Sequence, residues 1–257
     1  MCLLIVAWKV DETFPLIIGA NRDERYDRPT TTFTALSSGH PRVLGGRDEL
    51  AGGTWLAVSD RGIVAGLTNL FSVAGPDPTK RTRGELPLRL VQYSSASKGV
   101  ADLSRRYSSS AYNGAAMFVG DRDFLFYIEL GTNQDFTVLQ MDPGIYVLEN
   151  VPLNATSAKV DFVKTLLSSK MASGRSLWSV LPSVLSSHEL PASTIMDGAS
   201  DLLRPINAPC VHSSGRGTRS SSLIRVPANR SSPTEVSIAD GAPCSAEYVD
   251  VSNRWAV

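Results

Sequence analysis

The chain has 257 residues, of which 25 are basic and 25 acidic, so its formal charge is balanced. That length is enough to bury a sizeable core, and we expect one domain over residues 1–257. A balanced charge gives no reason to expect a nucleic acid or an anionic membrane surface as a partner.

No segment approaches the ~18 consecutive apolar residues of a membrane span. The apolar residues 3–8 are too short for a signal-peptide core and no basic segment precedes them. We therefore expect a cytoplasmic protein without an integral membrane segment.

The cysteines are few and odd in number: Cys2, Cys210 and Cys244. Such a set is not a disulfide framework and indicates a reducing compartment. We interpret Cys210 and Cys244 as reduced structural thiols, although the sequence does not decide whether they pair. The three histidines are scattered without the spacing of a metal motif, so we expect no metal site.

The N-terminus combines a cysteine with a short apolar run. Residues 2–10 predict a buried strand, because the run is apolar with β-branched residues at its centre. Removal of Met1 would give Cys2 both a thiol and a free α-amino group, whose pKa of about 7.7–8.0 suits a base. Cys2 would then supply nucleophile and base together. The alternative is a small apolar residue at the start of a buried strand.

A second strand over residues 14–20 is expected to pair antiparallel with the first as a hairpin. The polar residues after it form a predicted turn, and the hairpin places Asn21, Arg22 and Asp23 next to Cys2. A carboxylate there could hold an ammonium group, and a guanidinium could favour a thiolate. We expect Asp23 near a solvent-reachable pocket. The alternative is a solvated turn with weak salt bridges.

The rest of the chain alternates predicted strands and helices. Residues 30–53 are predicted to be an irregular glycine-rich loop, and residues 215–222 a polar segment before a strand. The remaining elements are a hairpin over 54–68, helices over 84–93 and 98–107, strands within 115–149, helices over 156–170 and 176–187, and strands over 223–226, 235–238 and 246–251. This order predicts an α+β fold, a four-layer αββα sandwich with two antiparallel sheets between outer helices.

Several short motifs occur together over most of the chain. They are Met1-Cys2, Asn21-Arg22-Asp23-Glu24, Gly52-Gly53-Thr54-Trp55-Leu56, Leu67-Thr68-Asn69, Arg83-Gly84-Glu85-Leu86, Tyr112-Asn113-Gly114 and Gly217-Thr218-Arg219-Ser220. This ordered set resembles the Asn-Arg-Asp-Glu (NRDE) motif family, which includes the transport and Golgi organisation proteins. That family in turn resembles the cysteine N-terminal nucleophile (Ntn) hydrolases, such as penicillin V acylases and bile salt hydrolases. The resemblance implies the αββα fold.

The resemblance also implies an amidohydrolase or acyltransferase acting on a small-molecule amide or acyl substrate, without a cofactor. Cys2 would be the nucleophile of an acyl-enzyme and Asp23 would bind its α-ammonium group. Arg22 would lie beside the thiol. Arg219 would neutralise charge near the thiol or orient Asp23.

The remaining implied residues would contact the substrate. Asn69 and Asn150, each at the exit of a predicted strand, would donate amide hydrogens to the oxyanion. Asn21, Trp55 and Thr68 would bind other parts of the substrate.

A different class of function remains open. The eukaryotic branch of the resembled family implies a haem or lipid trafficking protein that keeps the fold without turnover. In that reading Cys2 is a soft ligand for haem rather than a nucleophile. A third reading is a structural protein in which Cys2 is only a buried residue.

Overall fold

The computed structural model of the protein describes residues 2–131, 135–192 and 204–256. Within these ranges the strands are β1 (Cys2–Trp8), β2 (Leu16–Arg25), β3 (Thr30–Ala35), β4 (Val43–Asp48), β5 (Leu56–Ser59), β6 (Val64–Asn69), β7 (Ala115–Gly120), β8 (Leu125–Leu130), β9 (Thr137–Gln140), β10 (Gly144–Leu148), β11 (His212–Ser213), β12 (Arg216–Val226), β13 (Glu235–Ala239) and β14 (Val249–Asp250). The α-helices are α1 (Glu85–Leu90), α2 (Ala96–Arg106), α3 (Ala158–Met171) and α4 (Leu177–Leu185).

These strands form two antiparallel sheets. The first has the order β10-β1-β2-β12-β13-β14, with β11 paired to β12. The second has the order β3-β4-β5-β6-β7-β8-β9. In the first sheet β1 and β2 are central strands, because β10 and β12 pair with their outer edges.

Three apolar clusters separate four layers. One lies between the sheets and includes Leu4, Ile18 and Phe118. A second joins the other face of the second sheet to α1 and α2, and a third joins the other face of the first sheet to α3 and α4. The alternating side chains of a strand supply both faces of each sheet. The predicted αββα sandwich is confirmed.

The four helices lie where the sequence predicts them. Serine side chains begin three of them: Ser95, Ser157 and Ser176 accept hydrogen bonds from the backbone N–H groups of α2, α3 and α4. Such caps satisfy donors that have no partner within the helix. Among the described residues, none of the helices is long and apolar enough to cross a membrane.

The predicted loop over residues 30–53 is wrong, because the structure forms β3 and β4 there. Glycine is unfavourable in strands, and Gly45 and Gly46 therefore indicated a loop. A Cβ atom on Gly45 would lie 2.3 Å from the Leu56 carbonyl oxygen, and one on Gly46 would lie 2.0 Å from the Trp55 ring. The glycines allow close approach of β4 to its neighbour rather than breaking the strand.

Two polar segments predicted outside the strands also lie within them. The predicted turn at Asn21, Arg22 and Asp23 continues β2 as far as Arg25, paired with β12. The segment over residues 215–222 forms most of β12. Both segments are extended because each provides the other's hydrogen-bonding partners, a contact between positions nearly 200 residues apart in sequence.

One buried amide joins the first sheet to its helical layer. Asn21 is 1% exposed, and its Nδ2 donates to the carbonyl oxygens of Leu185 at 2.8 Å and Pro209 at 2.9 Å. Leu185 ends α4, so the amide ties β2 to that helix and to the segment before β11.

Replacement of Asn21 by alanine should destabilise the fold. The substitution removes two buried hydrogen bonds and leaves two carbonyl groups without this donor, at a cost of about 2–3 kcal/mol in the free energy of unfolding. Urea unfolding measures it. Asn113 is the matched control, since it also makes two bonds to main chain, with Asp77, but on the surface. Asn113→Ala should cost less than about 1 kcal/mol, and an equal cost for both variants would contradict this account.

Candidate active site

The pairing of β1 with β2 positions the N-terminal cysteine. Cys2 lies opposite Arg22 in the antiparallel register, as the hairpin predicts. Side chains alternate along each strand, and Leu4 and Ala20 of the next pair belong to the core between the sheets. Cys2 and Arg22 therefore face the space between the two sheets, at its open end.

That end of the sandwich contains a cavity of about 320 Å³. Its wall includes Cys2, Arg22 and Trp55 together with Asn69. The other lining residues are Asp23, Glu24, Arg28, Asp48, Ala51, Gly53, Thr54, Leu67, Pro76, Arg81, Thr82, Arg83, Gly84 and Asn113. Residues that are far apart in sequence thus meet around the thiol.

The environment of Cys2 acts on its protonation in two directions. Burial raises the pKa of the thiol, and the negative charge of Asp23 raises it further. The positive charge of the N-terminal amino group lowers the pKa of the same thiol most, and a hydrogen bond from the Asp23 backbone and the charge of Arg22 lower it further. Because the net shift is upward, a stronger positive charge beside the sulfur would be needed to favour the thiolate.

Asp23 lies on the other face of β2 and is 2% exposed. Its Oδ1 accepts a hydrogen bond from Thr218 Oγ1 at 2.6 Å, and its Oδ2 lies 3.8 Å from Lys159 Nζ. Burial raises the pKa of the carboxyl group, while the charge of Lys159 and the bond from Thr218 lower it. Asp23 is among the residues that line the cavity, although its carboxyl group is covered by Thr218 of β12 and Lys159 of α3.

The sequence interpretation missed Lys159. It is the second residue of α3, is 2% exposed, and also donates to the Ile206 carbonyl oxygen at 3.2 Å. A signal was present, since Lys159 precedes the buried Val163 and Leu167 at helical spacing and occupies the same apolar stripe. Burying a lysine without a partner is costly, so we interpret Lys159 and Asp23 as a buried ion pair.

Arg22 is held over an aromatic ring rather than in solvent. Its guanidinium carbon lies 4.2 Å from the Trp55 ring centroid, and Nη2 lies 3.6 Å from Asp48 Oδ2. Arg28 shares that carboxylate at 2.8 Å. Burial lowers the pKa of Arg22, and the negative charge of a Cys2 thiolate would raise it. Trp55 packs on Gly46, so the wall of the cavity depends on that glycine.

The predicted amide donors are neighbours but not equivalent. Asn69 lines the cavity that contains Cys2. Asn150 lines an adjoining cavity and donates its side-chain N–H to the Asn69 carbonyl oxygen at 2.6 Å. Thr68 is fully buried within β6, and its Oγ1 has no hydrogen-bond partner among the described residues. Of the two predicted donors, Asn69 is thus the one that shares a cavity with the thiol, and Asn150 binds its backbone carbonyl.

Four predicted site residues do not line this cavity: Thr68 and Asn150, described above, and Arg219 and Asn21. Arg219 donates from Nη1 to the carbonyl oxygens of Arg25 at 3.1 Å and Arg28 at 2.5 Å, at the bulge of β12. Asn21 faces α4. In place of Arg219 the cavity contains Arg83. Burial and the positive charge of Arg28 lower the pKa of Arg83, and the negative charge of a Cys2 thiolate would raise that pKa. The motif containing Arg83 was visible in the sequence, but nothing there indicated its role.

Two solved structures that are similar to this one are, by name, an acid amidase ortholog and an acylase. The N-acylethanolamine-hydrolyzing acid amidase ortholog of Caenorhabditis elegans has a TM-score of 0.56 and 15% identity, over 90% of this chain and 95% of that chain. Penicillin V acylase from Agrobacterium tumefaciens has a TM-score of 0.52 and 11% identity, over 98% and 86%. At such low identity these similarities show a shared Ntn-hydrolase fold.

Sequence comparison identifies nearer relatives. The family described as "Transport and Golgi organisation 2" matches residues 1–237. The "Transport and Golgi organization protein 2 homolog" of Bos taurus is 32% identical over 237 residues, which cover 84% of this chain and 83% of that protein. The Mus musculus homolog is 30% identical over 234 residues, with the same shares covered. The chain therefore belongs to the transport and Golgi organisation 2 family, on an Ntn-hydrolase fold.

Proposed function

We propose that the protein is a cysteine N-terminal nucleophile amidohydrolase or acyltransferase that uses Cys2 after removal of Met1. The observation that carries this proposal is the position of Cys2 at the start of β1, in the cavity and opposite Arg22. A merely structural cysteine would be packed among apolar side chains, whereas this thiol borders charged groups.

The chemistry proceeds in two steps. The Cys2 sulfur attacks the amide carbonyl carbon, and the thiol proton passes through the α-amino group to the departing amine. The carbon–nitrogen bond breaks and a thioester remains on Cys2. Water hydrolyses that thioester to a carboxylic acid, or another amine takes the acyl group. Asn69 donates to the carbonyl oxygen while it carries negative charge.

Asp23 would set the charge of the α-amino group. A carboxylate beside an amine favours the ammonium form, and an ammonium group beside a thiol favours the thiolate. Removal of Met1 therefore places this ammonium group on the nucleophilic residue itself. Lys159 and Thr218 support this role, since both stabilise the carboxylate form of Asp23 in a buried site.

The charges of the cavity favour a polar substrate. Its described lining contains four arginines, Arg22, Arg28, Arg81 and Arg83, and three carboxylates, those of Asp23, Glu24 and Asp48. Guanidinium groups bind carboxylate and similar anions through paired hydrogen bonds. We therefore favour an amide with an anionic group near the scissile bond over one with only an apolar acyl chain.

An acyl probe tests the nucleophile. Active protein should lack Met1, and an activated acyl thioester should form one adduct on the N-terminal peptide, which mass spectrometry identifies. The peptides containing Cys210 and Cys244 are internal controls and should remain unmodified. Cys2→Ala should abolish the adduct, because Cys2 is the one thiol among the described residues that line the cavity.

Two results would contradict the proposal. One is an active protein that retains Met1. The other is a haem titration in which the Soret band shifts with wild type but not with Cys2→Ala, without any acyl adduct, since that pattern fits a carrier.

Replacement of Asp23 by asparagine should slow adduct formation by a factor of about 10²–10⁴, the usual scale for acid–base groups.

The same replacement should also change how the free energy of unfolding depends on pH. Burial raises the pKa of Asp23 in the folded state. The contribution of the protonated group to the free energy of unfolding is therefore complete below the unfolded-state pKa, and it is lost as the pH rises through the folded-state pKa. Asp23→Asn should lack that fall in urea unfolding. A wild-type rate in this variant would reduce Asp23 to a structural role.

Replacement of Lys159 by methionine should shift the pH–rate profile. The Lys159 charge is the largest influence that lowers the Asp23 pKa, so its loss raises that pKa further. Asp23 then stays protonated to higher pH, and the acidic limb of adduct formation should move upward in pH. Lys164→Met is the matched control, because Lys164 is exposed on the same helix. Equal profiles for both variants would rule out the coupling of Lys159 to Asp23.

A further inference from the structure

Two cysteines and two histidines meet on the far side of the first sheet. His188 follows the end of α4, Cys210 precedes β11, His212 begins β11, and Cys244 lies between β13 and β14. One ligand atom from each side chain lies within 4.8 Å of all the others. The sequence spacing does not reveal this cluster, because the four residues come from three separate segments.

The distances within the cluster approach those of a tetrahedral zinc site. Cys210 Sγ lies 3.7 Å from His212 Nε2, which lies 3.2 Å from Cys244 Sγ. Zinc bonds of 2.0–2.3 Å at tetrahedral angles separate neighbouring ligand atoms by about 3.3–3.8 Å. Small side-chain rotations would bring the four donors to a shared centre.

Backbone groups already orient part of the cluster. His188 Nδ1 lies 3.1 Å from the Cys210 carbonyl oxygen, and the Cys210 backbone N–H donates to the Ser187 carbonyl oxygen at 2.9 Å. When Nδ1–H of His188 donates to that carbonyl, Nε2 keeps its lone pair. A second hydrogen bond of this kind is characteristic of metal-ligating histidines.

We propose that His188, Cys210, His212 and Cys244 bind one Zn²⁺ ion in a structural site. Two thiolates and two imidazoles are the donor set that zinc takes in closed sites with four protein ligands. Binding releases the two thiol protons to solvent, and the ion neutralises the two thiolates. Cys210 is buried while the other three ligands are exposed, so solvent provides the entry path.

The thiols also need a cation to ionise together. Burial, and after it the charge of Cys244, raises the pKa of Cys210 to about 12. Without a positive charge, ionisation of one thiol opposes ionisation of the other. A bound Zn²⁺ ion reverses this effect.

The ion would hold the segment that supports the buried face of β2. Pro209 accepts a hydrogen bond from Asn21 at 2.9 Å, and the Val211 backbone N–H donates to Thr218 Oγ1 at 2.8 Å. Thr218 in turn donates to Asp23. Cys210 lies between these two contacts. Zinc would thus join α4, β11 and the β13–β14 loop beneath the candidate active site.

Cobalt substitution of the full-length protein tests the site. Under reducing conditions wild type should bind one equivalent of Co²⁺, with the intense d–d bands of tetrahedral geometry and a thiolate charge-transfer band, and Zn²⁺ should bleach both. Cys244→Ser and His212→Gln should weaken binding by more than about 100-fold, because even outer-shell partners contribute 10–100-fold. Both residues are exposed, so neither variant depends on repacking of the core.

The chain supplies matched controls, since it has three cysteines and three histidines. Cys2→Ser and His40→Gln, which lie outside the cluster, should keep the wild-type spectrum. A chelator should lower the melting temperature of wild type but not of Cys244→Ser. Wild type without tetrahedral cobalt bands would overturn the proposal. So would unchanged binding in Cys244→Ser, or a Cys210–Cys244 disulfide that persists with reductant and zinc.

Discussion

The antiparallel pairing of β1 with β2 is the constraint on which the candidate site depends. It sets Cys2 opposite Arg22, and it does so because the hairpin register is fixed by apolar side chains on both faces of the two strands. A shift by one residue would exchange the faces and carry the thiol away from the cavity. Pairing with β10 and β12 makes the two strands central, so their polar ends lie inside a sheet rather than in a solvated turn.

Successive side chains of β2 point to opposite faces of the sheet, so the polar residues at its end lie in two different environments. Arg22 faces the cavity and stacks on Trp55, whereas Asn21 and Asp23 face the helices. Removing Asp23 from water is costly, and Lys159 and Thr218 offset part of that cost. The arrangement holds a carboxyl group close to the thiol without exposing it. When ionised, this group can act on an α-ammonium group at the same strand end, which is why removal of Met1 matters to the proposed chemistry.

The cluster around Cys210 and the candidate site are two ends of one structure. The segment at residues 209–211, which carries Cys210, has two contacts with β2. The Asn21 amide donates to Pro209, and Thr218 connects Val211 to Asp23. A structural ion there would stiffen the side of β2 that carries Asp23. This side has little apolar packing of its own at that point, since Thr218 and Ser221 are its buried neighbours.

The sequence by itself determined the layers and the hairpin, because apolar periodicity and turn residues act over short distances, and the family resemblance indicated Cys2 as the candidate nucleophile. Cys2, Arg22 and Asp23 were placed together by the hairpin alone. The tertiary structure decided what depends on distant segments: the strands at Gly45 and Gly46, which close packing of Trp55 requires, and the extension of β2 by pairing with β12. It also brought Lys159 to Asp23 and turned Arg219 away from the thiol. His188, Cys210, His212 and Cys244 meet only after folding, because three separate segments carry their donor atoms and no local spacing encodes that convergence.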